Sequence, residues 1–526
     1  MHRCAILIAK LASGDNLTQS RANAASSSRF LFFGGKPVAQ WGILLALLFT
    51  GLFIRVYDLE AFQVGDRQYR SAIIARAYYV STTDSTPEWR RQVAEISQQR
   101  AGLLEPPIME LLVSWTYRLI NREHLWIPGF LSSLFWVIGG TFLYKILQRS
   151  QSMAAALLAT AYYLFVPMGV HISTGFVPDP LMIMLFLLSI LMILRYYDEP
   201  SSSRLILAGA VSALAVLVKP FCLLAIIAAF LSLSISQKTS WKSIIEPNFL
   251  IFLGFILLPA LYYIYNIYTG GSLTRQAQNS FLPQIWLTRS FWLDWLKTAS
   301  GVVGLAPLIS ALIGFSIVRK GRLSALLVGL WASYAIFCLV FAYHIRFGPH
   351  YHSQLIIVVA ISISPIIALI ANQLKQLPDK WLRQLSIIAA LLIIALINFR
   401  EVRHQITSAP TLNSKEIYQK IGEIVGHSTN TAYLAPYYGT PLEYYGELSG
   451  TYWPRGISDS DAALGLNRTR SVEERLDTLN FIPEYFIITN MLEYETYHAD
   501  LKEYLEGHCS QFINNEAYQI FSECLR

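Results

Sequence analysis

Long apolar runs separated by short polar segments fill the first 400 residues of the chain. A membrane-spanning helix needs about 20 mostly apolar residues, and lipid tolerates no other spanning backbone except a closed barrel. About eleven runs approach that length, and they lie at 40–57, 125–147, 153–171, 180–197, 204–218, 220–236, 249–268, 301–318, 323–343, 352–374 and 384–399. The pattern therefore predicts an α-helical polytopic membrane protein with about eleven transmembrane helices.

One further apolar segment, Ile108–Ile120, has only 13 residues and includes Glu110, Trp115 and Arg118. It is too short and too polar to cross a bilayer. Its mixture of apolar, aromatic and charged residues instead predicts a helix that lies in the membrane interface.

The pattern changes after residue 400. Two short apolar runs, Thr431–Ala435 and Tyr485–Thr489, are typical of buried strands. Three other segments carry apolar residues at helical spacing, at 413–426, 471–480 and 500–506. This alternation predicts a small α/β domain over 400–526. Cys509 and Cys524 flank a predicted closing hairpin, and we expect a disulfide between them in an oxidising compartment.

The composition excludes both a fully soluble globular protein and a disordered chain. Charged residues make up 14% of the chain, against roughly 25% in soluble domains, and the mean hydropathy is +0.41. From Glu401 onward there are 18 acidic and 9 basic residues, whereas the first 400 residues hold 16 acidic and 32 basic ones. The basic residues are scattered between apolar runs, which argues against a nucleic-acid partner.

The distribution of lysine and arginine predicts the orientation in the membrane. Positively charged residues are retained in cytoplasmic loops, and they concentrate in 1–39 and in alternate short loops after it. We therefore expect 1–39 as a cytoplasmic tail, 40–399 as the transmembrane domain of a plasma (inner) membrane protein, and 400–526 as an extracytoplasmic domain. The segment 58–124 becomes a large first outer loop, which holds nine acidic residues.

Two charged residues interrupt apolar sequence on the predicted outer side. Asp179 lies at the outer end of a span, where a carboxylate is costly and marks a functional site; the alternative is a helix cap before Pro180. Lys219 lies between two apolar runs and is a candidate for holding a phosphate, with snorkelling to the interface as the alternative. Arg275, in the outer loop 269–300, could add a donor for the same phosphate.

A histidine-rich turn follows at 343–352. His350 and His352, with Tyr351 between them, could hold a metal, orient a sugar or donate to a phosphate. Three histidines without a nearby acid are weak grounds for a metal, and an interfacial belt of aromatic residues and histidine is the alternative. A divalent metal therefore stays an open expectation.

The predicted first outer loop contains Asp66-Arg67 followed by Tyr69 and a segment rich in Ala and Ile, and later Glu105-Pro106-Pro107. These segments resemble the first outer loop of the GT-C-fold glycosyltransferases that use lipid-linked sugars. The resemblance is to families 39 and 83, which include protein O-mannosyltransferases and aminoarabinose transferases. Their first loop carries an Asp-Glu followed by Tyr and a helix rich in Ala and Ile, and the segment 64–76 is similar, with Arg67 in place of the usual Glu. Later in the loop such proteins carry His-Pro-Pro or Lys-Pro-Pro, where this chain has Glu105-Pro106-Pro107.

The resemblance continues through the transmembrane part and covers roughly 40–375. Asp179 resembles the family's acid before Pro-Leu, and Lys219 resembles its lysine at the end of a leucine-rich run. The segment His350–Leu355 resembles a Tyr-Tyr-His-Leu-Pro-Leu element of bacterial members. Each motif is short. The resemblance rests on their order along the chain and on their common position at the predicted outer face of the membrane.

The resemblance implies transfer of one sugar, with inversion, from a polyprenyl-phosphate donor to a hydroxyl of a lipid, protein or glycan acceptor. Asp66 is the expected general base, and Asp179 is expected to bind the acceptor or tune that base. Lys219, with Arg275, is expected to hold the donor phosphate. The other expected substrate contacts are Tyr69, Glu105, His350, Tyr351 and His352.

Two other functions stay open at this point. A transporter or flippase for a lipid-linked sugar usually has charged groups at the bilayer midplane and two matching halves, whereas here the ionisable residues collect at one face. The other is a non-catalytic accessory protein of a glycan assembly complex, because Arg67 and Glu105 depart from the family pattern.

Overall fold

A computed structural model describes residues 37–57, 59, 65–238, 246–269, 274, 280–374, 389, 413–457, 469–479 and 481–524. Fifteen described helices precede the C-terminal domain. They are α1 Pro37–Val56, α2 Asp66–Val80, α3 Glu88–Ala101, α4 Ile108–Ile120, α5 Trp126–Leu147, α6 Met153–Phe165, α7 Pro167–Thr174, α8 Asp179–Asp198, α9 Ser202–Val218, α10 Leu223–Lys238, α11 Pro247–Tyr268, α12 Arg289–Val303, α13 Leu305–Ile317, α14 Arg322–Val340 and α15 Ser353–Leu374.

The apolar helices follow the predicted spans closely. Six helices in the described part are long and apolar enough to cross a membrane, or eight if two bent pairs each count as one span. Two shorter apolar helices, at Trp41–Val56 and in α9, add to these. The predicted span 384–399 lies outside the described residues apart from 389. The predicted helical polytopic fold class is therefore confirmed, while the count of eleven spans stays a prediction.

The two bent pairs have identifiable local causes. The helices α6 and α7 meet at an angle of 56°, where Pro167 begins the second helix and removes a backbone donor that a continuous helix needs. The helices α12 and α13 meet at 95° around Gly304, whose φ of +83° lies in the left-handed region that glycine tolerates best.

Helix α8 lies at the centre of the bundle, packed against α5 and α9. Ser189 of α8 and Ser212 of α9 share a buried hydrogen bond of 2.5 Å, which is a common way to hold two apolar helices together in lipid. Because α8 is surrounded by protein, its first residue, Asp179, is buried too.

The predicted outer loop 58–124 is mostly helical and consists of α2, α3 and α4. Helix α4 has the predicted bounds, and it buries Glu110 and Tyr117 on one side. On the other side Trp115 and Leu119 are exposed, Leu119 by 84%. The predicted helix is confirmed and its two-sided character suits an interface, whereas its depth in a membrane stays a prediction.

The C-terminal domain is a five-stranded sheet with helices, as the sequence predicts. Its strands are β1 Thr431–Leu434, β2 Gly450–Tyr452, β3 Tyr485–Ile488, β4 Ser510–Asn514 and β5 Gln519–Ser522, and its helices are α16 Asn413–Ile424, α17 Thr440–Gly446, α18 Val472–Asp477, α19 Met491–Tyr497 and α20 Ala499–His508. The strand order is β2-β1-β3-β5-β4; β1 is parallel to β2 and to β3, and β5 is antiparallel to β3 and to β4. The expected Cys509–Cys524 disulfide joins the two ends of the β4–β5 hairpin.

The C-terminal domain rests on the helices of the outer loop. Arg90 of α3 donates to both carboxylate oxygens of Glu447, at 2.7–3.0 Å, and Arg76 of α2 approaches the same carboxylate at 3.9 Å. The rings of Trp89 and His427 stack with centroids 4.1 Å apart. Thr440 of the domain also contacts the backbone of Asp66, which puts the domain beside the first turn of α2, where the candidate site begins.

Candidate active site

Asp66 is the first residue of α2, directly after the extended residue Gly65. Its backbone oxygen accepts a hydrogen bond of 3.4 Å from Thr440 Oγ1 of the C-terminal domain. Burial raises the pKa of the Asp66 carboxyl above its usual value, and the positive charges of Arg70 and Arg67 partly oppose that rise. Asp66 is thus a carboxylate made more basic than a free one, at the contact between the outer loop and the C-terminal domain.

The next residue, Arg67, is surrounded by carboxylates. Its guanidinium donates to Glu105 Oε2 at 2.6 Å, and the side chain of Glu105 is only 11% exposed. Burial lowers the pKa of Arg67, but Glu105, Glu110, Asp179 and Asp66 outweigh it, so that its pKa is raised. Arg67 and Glu105, the two residues that depart from the expected family pattern, therefore form an ion pair with each other. The basic residue comes first along the chain and the acidic one second, whereas the family pattern has the acid first.

Glu110 is a buried acid of this group that the sequence analysis did not select. It lies on α4 and accepts a hydrogen bond of 2.8 Å from Ser71 of α2. Burial raises its pKa, against the charge of Arg67 and the hydrogen bond from Ser71. The available signal was a carboxylate inside a short apolar helix, where a charge is costly unless it has a partner.

Asp179 and Lys219 form the second ion pair of the site. Lys219 Nζ lies 2.7 Å from Asp179 Oδ2, and the side chains are 7% and 3% exposed. Asp179 is the first residue of α8; its Oδ2 accepts a hydrogen bond from Lys219, and its Oδ1 has no partner among the described residues. Lys219 directly follows α9. The pair replaces both simpler interpretations of these residues, because Asp179 does not act as a cap and the Lys219 ammonium ends on a buried carboxylate instead of in solvent.

One oxygen of this pair is unused within the described residues. Asp179 Oδ1 is buried and has no hydrogen-bond partner there, whereas buried carboxylate oxygens are normally satisfied. The Lys219 ammonium has three N–H donors; it also lies 4.5 Å from the ring centroid of Phe221. The pair therefore has hydrogen-bonding capacity left for a ligand.

The histidine-rich turn contributes one residue to this site. His350 is exposed and lies close enough to Lys219, Asp179 and Arg67 to interact with their charges. It is part of a 3-10 turn at Pro349–His352 that precedes α15. His350 is therefore an exposed neighbour of the buried ion pair.

The other two members of the turn are directed into the protein. The ring of Tyr351 stacks between those of His344 and Phe221, each with centroids 5.0 Å away. His352 is fully buried; its Nδ1 lies 2.6 Å from the Tyr334 hydroxyl and its Nε2 2.8 Å from a backbone carbonyl. Both ring nitrogens of His352 are thus occupied, and we leave this residue out of the proposed substrate contacts.

Tyr69 also has a role in packing. It is 4% exposed, and its hydroxyl lies 3.1 Å from that of Tyr445 in the C-terminal domain. Its ring lies against Tyr444 with centroids 5.6 Å apart.

The expected phosphate ligand Arg275 lies outside the described residues. The expected site residues that come together around Arg67 are Asp66, Glu105, Asp179, Lys219 and His350.

The acidic residues of the site do not resemble a metal centre. In the described part of the chain, no group of three His, Cys, Asp or Glu side chains is arranged to hold a metal ion. Glu105 and Asp179 are each paired with a cation, Arg67 and Lys219. The residues present therefore do not fit a divalent metal, and no step below depends on one.

Comparison with known proteins agrees with the expected resemblance. The sequence model of a family described as dolichyl-phosphate-mannose-protein mannosyltransferase matches residues 104–263, a range that includes Glu105, Asp179 and Lys219. No curated protein sequence matches the chain significantly.

Solved structures show the fold over nearly the whole chain. A crystal structure of ArnT from Cupriavidus metallidurans bound to undecaprenyl phosphate has a TM-score of 0.56 and 12% identity, over 92% of this chain and 97% of that one. The Archaeoglobus fulgidus oligosaccharyltransferase AglB, in complex with an inhibitory peptide and a dolichol-phosphate, has a TM-score of 0.54 and 11% identity, over 92% of this chain and 74% of that one. The chain therefore has the GT-C fold, as the sequence predicts.

Proposed function

We propose that the protein is an integral membrane glycosyltransferase that transfers a sugar from a polyprenyl-phosphate donor to a hydroxyl of an acceptor. The observation that carries the proposal is the convergence of Asp66 and the two ion pairs, Arg67–Glu105 and Asp179–Lys219, below the C-terminal domain. The undecaprenyl phosphate of ArnT and the dolichol-phosphate of AglB support the class of donor.

The reaction requires a general base near the acceptor hydroxyl. In a direct displacement the acceptor oxygen forms a bond to C1 of the sugar, the bond from C1 to the phosphate oxygen breaks, and its electron pair leaves with the phosphate. The configuration at C1 is then inverted. Asp66 takes the acceptor proton, and its raised pKa suits a general base better than that of an ordinary aspartate.

The leaving phosphate needs positive charge that is already in position. Lys219 supplies this charge, and it has donors in the ammonium hydrogens that Asp179 does not use. His350 is an exposed neighbour of the same pair. Arg275 stays a proposed second phosphate ligand. Glu105 acts as a positioning residue, because it holds the guanidinium of Arg67 in place.

The acceptor has a second possible contact in the site. Asp179 Oδ1, which has no hydrogen-bond partner among the described residues, can accept a hydrogen bond from another donor group of the acceptor, while Asp66 takes the proton of the hydroxyl that reacts. The same contact would couple the acceptor to the Lys219 charge and so to the departing phosphate.

We place the reaction at the outer face of the plasma membrane, with a cytoplasmic N-terminus and an extracytoplasmic C-terminal domain. The Cys509–Cys524 disulfide supports this placement, since disulfides persist in oxidising compartments. The excess of lysine and arginine in the opposite loops supports it as well. Reporter fusions after Gly65 and Gly348 test it, because both positions should report from the outer side.

Release of polyprenyl phosphate tests the reaction itself. Purified protein in lipid vesicles is incubated with a panel of radiolabelled polyprenyl-phosphate hexoses and pentoses and a membrane extract as acceptor source, with protein-free vesicles as control. An enzyme frees polyprenyl phosphate from at least one donor and moves the label. A flippase or an accessory protein leaves every donor intact. The flippase is disfavoured because Asp179 and Lys219 lie at helix ends, away from the midplane.

A further inference from the structure

A turn of the C-terminal domain has an unusual backbone conformation. Tyr437 has φ 55° and ψ 42°, and Tyr438 has φ 55° and ψ 25°, so two consecutive non-glycine residues occupy the left-handed region. Single residues other than glycine visit that region rarely, and bulky ones more rarely still. Strain of this kind persists only where the surroundings enforce it, and it is concentrated at functional sites.

The surroundings of this turn do enforce it. Gly439 follows with φ +74°, and a Cβ atom there would lie only 2.1 Å from the ring of Tyr433. Thr440 Oγ1 donates to the carbonyl of Tyr437 at 3.1 Å. The backbone is therefore constrained directly after the strained residues.

The strained turn presents its aromatic rings outward. Tyr437 is 40% exposed and Tyr438 is 59% exposed. The ring of Tyr438 meets that of Tyr452 edge to face, with centroids 5.2 Å apart, and the Tyr452 hydroxyl donates to Glu493 at 3.1 Å. If the two rings were buried, their packing would explain the strained backbone. Because the rings are exposed, we look for the explanation in a ligand that they bind.

The turn lies beside the proposed general base. Thr440, which follows the turn, contacts the backbone of Asp66, and Tyr437 lies in the neighbourhood of Tyr69 of α2. A molecule bound on the tyrosine rings would therefore reach the first turn of α2.

We propose that Tyr437 and Tyr438 form a platform that binds a sugar ring of the acceptor, so that the acceptor is a saccharide or carries one. The inference rests on the proposed function, and it narrows the acceptor class. The face of an aromatic ring is negative and attracts the C–H groups on the apolar side of a pyranose. Glu493 and Arg455, which pair at 2.8 Å beside Tyr452, supply polar groups at the edge of the platform.

The charge of the domain distinguishes this ligand from a membrane surface. Exposed tyrosines are also common at the boundary of a bilayer, but the chain from Glu401 onward has twice as many acidic as basic residues. An anionic lipid surface would repel such an acidic domain. A neutral sugar carries no charge, so the acidic domain does not repel it.

Sugar binding by the full chain in nanodiscs tests the platform. Saturation-transfer NMR is recorded with a panel of methyl pyranosides and disaccharides on wild-type protein, Tyr438→Ala, Tyr438→Phe and the control Phe512→Ala. Phe512 is a similarly exposed ring, 56%, on the opposite edge strand of the sheet. We expect at least one sugar to bind wild type and the control, at least fivefold weaker transfer in Tyr438→Ala, and recovery in Tyr438→Phe.

Two results would overturn the platform. One is that no sugar of the panel binds wild-type protein, and the other is that Tyr438→Ala binds as wild type does. Recovery in Tyr438→Phe shows that a loss in Tyr438→Ala comes from the missing ring and not from misfolding. The measurement uses no donor lipid, so its failure is distinct from failure to release polyprenyl phosphate, which concerns the proposed function.

Discussion

Lys219 and Asp179 meet across the ends of two neighbouring helices, with 2.7 Å between Nζ and Oδ2. Each side chain is less than one tenth exposed, so each charge depends on the other for compensation. The two residues are therefore one electrostatic unit. In the proposed function this unit supplies a cation for the phosphate and, in Asp179 Oδ1, an oxygen without a partner among the described residues for the acceptor.

Removing one member of this pair is expected to cost more stability than removing both. Lys219→Met or Asp179→Leu alone leaves an uncompensated buried charge, which lowers the free energy of unfolding by about 3–5 kcal/mol. The double variant leaves no such charge. Melting temperatures in detergent should therefore be lowest for the single variants, and all three should lose transfer. A double variant as unstable as the sum of the single ones would show that the pair does not act as a unit.

Substitution of Arg67 is expected to shift the pH dependence of the reaction. The guanidinium lowers the pKa of Asp66, so Arg67→Gln should raise that pKa further. Asp66 is then protonated at higher pH, and the acidic limb of kcat/KM moves to higher pH. Arg122→Gln, an exposed arginine of the same loop, is the control. An acidic limb that stays in place in Arg67→Gln would remove Asp66 as the titrating base.

Glu443 should make the stability of the protein fall as pH rises. Burial raises its pKa to about 7, against hydrogen bonds from Tyr433 and Gly450. The folded state then holds this proton more tightly than the unfolded state, whose value is near 4.5. Stability therefore decreases between those two pH values, by about 3 kcal/mol.

The Glu443→Gln variant tests this dependence. Its amide oxygen can accept the same two hydrogen bonds without a charge, so its melting temperature should fall less than that of wild type between pH 4.5 and pH 8. Glu503→Gln, at an exposed position of α20, should behave like wild type. Equal pH dependence in all three proteins would contradict the assignment.

The backbone strain at Tyr438 can be detected in the melting temperatures of two variants. Tyr438→Gly removes the left-handed penalty of roughly 1 kcal/mol, so this variant should melt at a higher temperature than Tyr438→Ala, which keeps the penalty. Both variants should lose sugar binding. Equal melting temperatures for the glycine and alanine variants would show that the turn is not strained.

Most of the architecture could be predicted from the sequence, because most of its elements have local signals. The length of an apolar run predicts whether a helix can cross lipid, and the short run at Ile108–Ile120 was recognised by the same measure. The strands beginning at Thr431 and Tyr485 were recognised as short buried runs. The strand β2 was missed, since Gly450–Tyr452 has only three residues and no pattern of its own.

The site was predicted only in part, because its pairs form between distant segments. Asp179 and Lys219 were each visible as charges in apolar surroundings, but nothing in either segment shows that they meet. Arg67 and Glu105 lie 38 positions apart and look like separate losses until the fold brings them together. Thr440 reaches Asp66 across 374 positions, and no local pattern reports such a contact.

The histidine-rich turn shows a further limit of local sequence patterns. Its residue types suggested three substrate contacts, yet the backbone directs only His350 toward the ion pair and turns His352 into the bundle. Spacing within a short turn does not reveal which side chains face a cleft, since that depends on where the turn packs.

The most direct test of the central claim is the release of polyprenyl phosphate by purified Asp66→Asn protein, beside wild type and Asp84→Asn. Asp84 is an exposed acid of the same outer loop and serves as the matched control. Loss of a general base costs about 10²–10⁴-fold in rate. We predict that loss for Asp66→Asn at normal expression, with Asp84→Asn at the wild-type rate. A wild-type rate in Asp66→Asn would contradict the account.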